Sequence, residues 1–182
     1  MEVRLRHLQE KDAPLMLEWM HDEQVLKGLQ KNFMQMSLQD AISFIQSVSY
    51  EMSEGNSLHY AIADEADTYL GTISLKDIDL SAKHAEYAIT MRSTFHGKGI
   101  GTAASRLLLE KAFVELGLER VFLTVLADND HAKHMYERCG FCKEGTLRKH
   151  IFKNGEFHDW DLYGVLKTEF IANNQISIDE SK

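Results

Sequence analysis

Phe95-His96-Gly97-Lys98-Gly99-Ile100-Gly101-Thr102 separates an apolar run, Tyr87-Ala88-Ile89-Thr90-Met91, from a helical pattern over residues 103–116. Glycines at alternate positions let the backbone turn tightly and leave its N–H groups uncovered by side chains. The helix behind them aims its positive end at the same point. A strand, a glycine turn and a helix in this order form an anion cradle, most often for phosphate or pyrophosphate. The competing reading, a glycine-rich connector that binds nothing, fits less well with glycines that open a well-formed helix. A Walker loop needs Gly-x-x-x-x-Gly-Lys-Ser/Thr, which the chain lacks. A dinucleotide fingerprint needs Gly-x-Gly-x-x-Gly, but the third position falls on Thr102 counted from Gly97 and on Ala104 counted from Gly99.

Downstream, Ala103, Ala104, Leu107, Leu108, Ala112, Phe113 and Leu116 form one helical stripe that Gly117 ends. Residues 120–127 read as an apolar strand, so strand–helix–strand implies a right-handed crossover and local parallel pairing. Asp128 or Asn129 caps a short helix through Tyr136, and Gly140 reads as its C′ residue. Residues 141–152 and 157–166 make a closing hairpin around Lys153-Asn154-Gly155-Glu156.

Upstream, Val3-Arg4-Leu5-Arg6 alternates as a first strand, and Asp12 caps a helix through Met20 with Pro14 in its first turn. Residues 21–36 have mixed polarity and read as a loop or helix. Ser37-Leu38-Gln39-Asp40 resembles a capping box opening a helix whose apolar positions run to Met52, with Glu54-Gly55-Asn56 as the stop. Strands over 58–63, 69–80 and 85–91, joined by short polar turns, indicate an antiparallel meander. The expected class is α/β, with an α+β mixed sheet.

At 182 residues the chain is most economically one domain. Hydrophobic residues at 44% and charged residues at 26% place it among soluble globular proteins. No apolar run reaches the roughly 18 residues of a membrane span. The start, Met1-Glu2-Val3-Arg4-Leu5-Arg6, lacks the apolar core of a signal peptide, so the cytoplasm is expected. A formal charge of −8 argues against nucleic acid as a partner and is compatible with a cationic substrate. A redox or zinc reading of Cys139-Gly140-Phe141-Cys142, with His131 and His134 upstream, competes with a chain reversal between two ordinary small residues. The reversal is preferred and no metal is expected.

His96-Gly97-Lys98-Gly99-Ile100-Gly101 resembles the Gln/Arg-x-x-Gly-x-Gly/Ala acetyl-CoA loop of the GNAT superfamily of N-acetyltransferases, with His at the first position. The run from Asn129 through Tyr136 to Gly140-Phe141 is similar to the same family's Asn-x-x-Ala-x-x-x-Tyr-x-x-x-Gly-Phe segment. The resemblance covers residues 3–166 and is closest to the branch with ribosomal-protein, spermidine and nucleotide-amino-sugar acetyltransferases. It implies a GNAT-like fold over residues 1–170; the polar residues 171–182 read as a tail that frays. The central sheet would be mostly antiparallel, splayed at the acetyl-CoA site and flanked by helices. It also implies an acetyl-CoA donor, a primary-amine acceptor without nucleic acid or membrane, and a possible homodimer.

The implied reaction is direct attack of an amine on a thioester. Tyr136 stands at the family's general-acid position, while helix packing is its plainer reading. Glu86 is the expected base, acting through water, against the plainer reading of an exposed strand residue; His84 and His96 are alternatives. Backbone N–H groups around Ile89, Thr90 and Met91 would meet the oxyanion and pantetheine. His96, Gly97, Lys98, Gly99, Ile100, Gly101 and Thr102 would hold pyrophosphate, and Asn129 the pantetheine arm. Arg148, His150, His158 and Asp159 would line the acceptor side or fix the hairpin. The alternatives are another acyl-CoA donor, or a silent CoA-binding module that would have no need of the tyrosine.

Overall fold

A computed structural model of the chain describes residues 2–179. In chain order the elements are β1 (Arg4–His7), α1 (Ala13–Met20), α2 (Glu23–Lys27), α3 (Leu38–Ser47), β2 (Leu58–Ala63), β3 (Tyr69–Asp79), β4 (His84–Met91), α4 (Ile100–Glu110), β5 (Arg120–Leu126), α5 (Asp130–Arg138), β6 (Cys142–Lys153), β7 (Glu156–Leu166) and α6 (Lys167–Asp179). One seven-stranded sheet has the order β1-β2-β3-β4-β5-β7-β6. Every neighbouring pair is antiparallel except β4 and β5, which are parallel. The mixed, mostly antiparallel sheet expected from the sequence is therefore present. The closing hairpin folds back so that β7, not β6, lies against β5.

Local chemistry sets several boundaries. Ser37 and Asp40 form the reciprocal capping box of α3. That helix stops at Ser47 rather than running to Met52, because Val48 turns to an extended conformation (φ −69°, ψ 123°). α4 begins at Ile100, earlier than the stripe suggested, so Gly101 and Thr102 belong to its first turn. A π-helical turn over Lys111–Glu115 follows, and Gly117 at φ +69° ends it. α6 continues through the position where the polar tail was expected to begin.

Asp12 precedes α1 but does not cap it with its side chain. Its buried carboxylate takes both ends of the Arg6 guanidinium, at 2.7 and 2.8 Å, and the Gln9 N–H at 2.9 Å. Two layers cover the sheet. α4 and α5 close one face over Tyr87, Val121, Leu123 and Tyr163. α1 and α3 close the opposite face over β2, through Met16, Trp19, Ala41, Ile45, Ala61 and Tyr69. Among the described residues no helix is long and apolar enough to cross a membrane.

Candidate active site

β4 and β5 share only the rungs His84–Arg120, Ala85–Val121 and Glu86–Phe122. Beyond them β4 continues to Met91 and β5 to Leu126 without pairing to each other, so the sheet opens into a slot. Strand alternation decides which amides face that slot. The Arg92 N–H donates to Leu70 O on β3 at 3.0 Å. Amides two residues apart point the same way along a strand, so Thr90 also turns toward β3. Ile89 and Met91 turn toward the open side. Thr90 therefore offers its side chain to the α1 face rather than its N–H to the slot.

The glycine turn stands at the mouth of the slot. Gly97 (φ +71°) and Gly99 (φ +76°) adopt left-handed conformations that favour glycine. The first helical bond of α4 runs from Ala103 N–H to Gly99 O. The N–H groups of Ile100, Gly101 and Thr102 thus have no intrahelical acceptor and point out of a positive helix end. A Cβ on Gly101 would lie 2.6 Å from Met135 Sδ and 3.3 Å from Met91 Sδ, so the ends of both methionine side chains pack directly against the first turn of α4. Lys98 is exposed over the Phe95 ring at 5.3 Å, and the His96 ring nitrogen lies 3.1 Å from Met91 O. A cleft of about 240 Å³ lined by Val3, Lys98, Gly99, Ile100 and Ala103 adjoins the turn.

Beneath the cradle, the Ser105 hydroxyl donates to Gly101 O at 2.7 Å and lies 2.6 Å from the Tyr87 hydroxyl. Both side chains are buried. Ser105→Ala should leave the Tyr87 hydroxyl unpaired and cost about 1–3 kcal/mol, read by urea unfolding. Tyr87→Phe in the same background should recover most of that loss, because both partners are then gone.

Tyr136 is buried on α5, edge-on to Tyr87 at 5.7 Å and to Phe141 at 6.0 Å. Burial, with a smaller push from the Cys139 thiol, holds its phenol well above the ordinary tyrosine range. Glu86 sits on the opposite face of β4, at the rung where the strands part, with Lys76 Nζ at 2.9 Å from its carboxylate. His84 lies on the first rung, at the closed end of the slot. The structure therefore brings the glycine turn, Ile89, Met91, Asn129 and Tyr136 around one opening, with Glu86 at its inner end.

Asn129 caps α5 by accepting from Ala132 N–H at 3.2 Å. Its amide nitrogen lies 3.0 Å from where a Cβ on Gly28 would stand. Of the hairpin residues, Asp159 accepts from Lys149 N–H at 2.7 Å, where Lys149 sits at φ +50°, and so fixes a bulge. His150 stacks on Trp160 at 5.4 Å and Arg148 is exposed. Sequence reasoning missed Asp161, buried at 1% exposure, which takes Thr146 Oγ1 at 2.6 Å and Lys143 Nζ at 2.9 Å. An aspartate in an alternating strand carries no local sign that both partners come from the neighbouring strand.

Parted parallel strands, free amides at a glycine-opened helix and a buried phenol suit an extended ligand with an anionic tail. Residues 2–142 match the family described as Acetyltransferase (GNAT) domain, and the chain belongs to that family. The putative ribosomal N-acetyltransferase YdaF of Bacillus subtilis is 40% identical over 100 residues, 55% of this chain and 55% of that protein. The match thus spans about half of that relative's length. Spermidine N(1)-acetyltransferase of Vibrio cholerae is 28% identical over 116 residues, 64% of this chain and 67% of that protein. Among solved structures, the Vibrio cholerae spermidine N-acetyltransferase in complex with CoA and spermine superposes with a TM-score of 0.83. That superposition covers 93% of this chain and 98% of the other at 22% identity, which bears on the fold alone. The Microcin C7 self immunity acetyltransferase MccE, in complex with acetyl-CoA and AMP, gives a TM-score of 0.79 at 26% identity, covering 91% of this chain and 92% of the other.

Proposed function

We propose that this chain is an acetyl-CoA-dependent N-acetyltransferase acting on a primary amine by direct attack. The observation that carries the reading is the parting of β4 and β5 after Glu86–Phe122, with the glycine cradle at one end and the Tyr136 phenol on the α5 face. Acetyl-CoA supplies an acetyl group already activated as a thioester. The amides of Ile100, Gly101 and Thr102 hold its pyrophosphate, and those of Ile89 and Met91 line the pantetheine arm and meet the oxyanion. Glu86, oriented by Lys76, takes a proton from the attacking ammonium through water. Tyr136, kept protonated by burial, gives its proton to the departing sulfur.

The names of the relatives support an amine acceptor, and a polyamine or a protein amino terminus presents the required nucleophile. The two cysteines are free thiols, in keeping with a reducing compartment such as the cytoplasm. The hairpin exposes Phe152 (65%) and Phe157 (63%), in contact at 4.9 Å between ring centroids, which favours a homodimer through β6 and β7. Sedimentation of Phe152→Ser/Phe157→Ser against the parent tests that association.

The direct test of activity is amine-dependent release of CoA thiol, with spermidine, amino-terminal peptides and amino-sugar nucleotides offered in parallel. Release with one class confirms the enzyme and names the acceptor. If no amine gives release and acetyl-CoA fails to raise the melting temperature, the cradle reading is wrong.

A further inference from the structure

α2 is five residues long, too short to persist alone, yet it bridges the mouth of the slot. At its start, Asp22 caps it by accepting from Gln24 N–H at 2.8 Å. The Ser93 hydroxyl, two residues beyond β4, is the largest influence holding the Asp22 carboxyl below its usual range, with His96 adding a smaller charge effect. At its end, Gly28 abuts Asn129, which follows β5. The segment thus runs from beside the residues that follow β4 to Asn129, which follows β5. The segment, which directly follows α1, borders the opening on that side.

The last carbonyls of such a helix need donors, and these come from the far end of the chain. Lys153 Nζ lies 2.8 Å from Leu26 O, 2.8 Å from Lys27 O and 2.5 Å from Leu29 O. An ammonium has three N–H donors, and all three are spent here. Burial pulls the Lys153 pKa below the ordinary lysine value, against the pull of Asp128. The three bonds, part-buried at Leu26 and Leu29 and exposed at Lys27, join the tip of the β6–β7 hairpin to the strap over the slot.

We propose that Lys153 is the positioning residue for the acceptor amine: by capping α2 it holds residues 23–29 in the conformation that admits the acceptor to the parted strands. The kinetic half of this rests on the acetyltransferase reading; the structural half does not. Lys153 touches no reacting atom, so its removal should disturb acceptor binding and leave the donor cradle intact.

Two measurements on Lys153→Met, which keeps the stem and deletes the ammonium, decide it. Hydrogen–deuterium exchange of amides 23–29 should quicken about tenfold or more, with the core strands unchanged. KM for the acceptor amine should rise about tenfold or more, with kcat and the acetyl-CoA KM within about twofold. In a Cys142→Ser background, Lys153→Cys alkylated with bromoethylamine should restore both, because it returns an ammonium to the same place. Unchanged exchange over 23–29 would overturn the clamp. Quickened exchange with an unchanged acceptor KM, or an equal rise in both KM values, would overturn the positioning role. If the parent turns over no amine at all, the acetyltransferase reading fails and takes the positioning role with it, while the exchange result still judges the clamp.

Discussion

Tyr136→Phe should lower kcat about a hundredfold or more while leaving the acetyl-CoA KM and the melting temperature nearly unchanged. The phenylalanine ring keeps the edge contacts to Tyr87 and Phe141, so packing survives and only the proton is lost. A thiolate leaving from a thioester gains from a positioned proton donor, and a phenol ionised in the ground state has none to give. Burial raises the Tyr136 pKa, so the donor stays protonated through neutral pH and through the ordinary tyrosine range near about 10. Pre-steady-state and steady-state CoA release across pH 6–10 read both points. A loss of kcat smaller than about threefold would make Tyr136 a packing residue and leave the leaving thiol to be protonated by water.

The largest expected loss of stability comes from Asp12→Ala, about 3 kcal/mol or more by urea unfolding. Asp12 is 1% exposed and the Arg6 side chain 12% exposed, so deleting the carboxylate strands a guanidinium where water reaches it poorly. Asp67 at 2.7 Å still serves Arg6, which limits the damage, and the Gln9 N–H loses its acceptor as well. Asp12→Asn should cost less, since an amide oxygen can still accept.

Asp67 adds a pH dependence of definite sign. Lys11 first, then Arg6, lower its pKa from 3.8 to about 2. A carboxyl depressed in the folded state contributes stability above its unfolded pKa. That contribution is lost as pH falls from 3.8 through about 2. Asp67→Asn should flatten the stability curve across that window, and added salt should shrink the difference because the pair is partly exposed.

What could be read from the chain alone was whatever neighbouring residues decide together. The glycines at 97, 99 and 101 announce a tight turn, Ser37 and Asp40 a reciprocal cap, and Asp128 or Asn129 the start of α5; each is settled within a few residues, and the structure has Gly97 and Gly99 left-handed, the reciprocal cap, and Asn129 as the α5 cap. Alternation and helical spacing place β2, β3, β4 and α4 because burial of one face repeats with the period of the backbone. The spacing of the glycine turn and Tyr136 was enough to reach the family.

Only the tertiary structure decided the rest, because the partner in each case comes from far along the chain. Lys76 reaches Glu86 across a strand pair, and Asp12 spends its carboxylate on Arg6 instead of on α1. Val48 leaves the helix despite its apolar spacing, and β7 rather than β6 takes the place beside β5. Strand alternation, fixed by one bond from Arg92 to Leu70, sends the Thr90 amide away from the slot and those of Ile89 and Met91 into it. Lys153 meets the carbonyl of Leu26 from 127 residues away. A sequence pattern records which residues prefer to be buried or turned, but a hydrogen bond of that reach exists only once the sheet has closed its order.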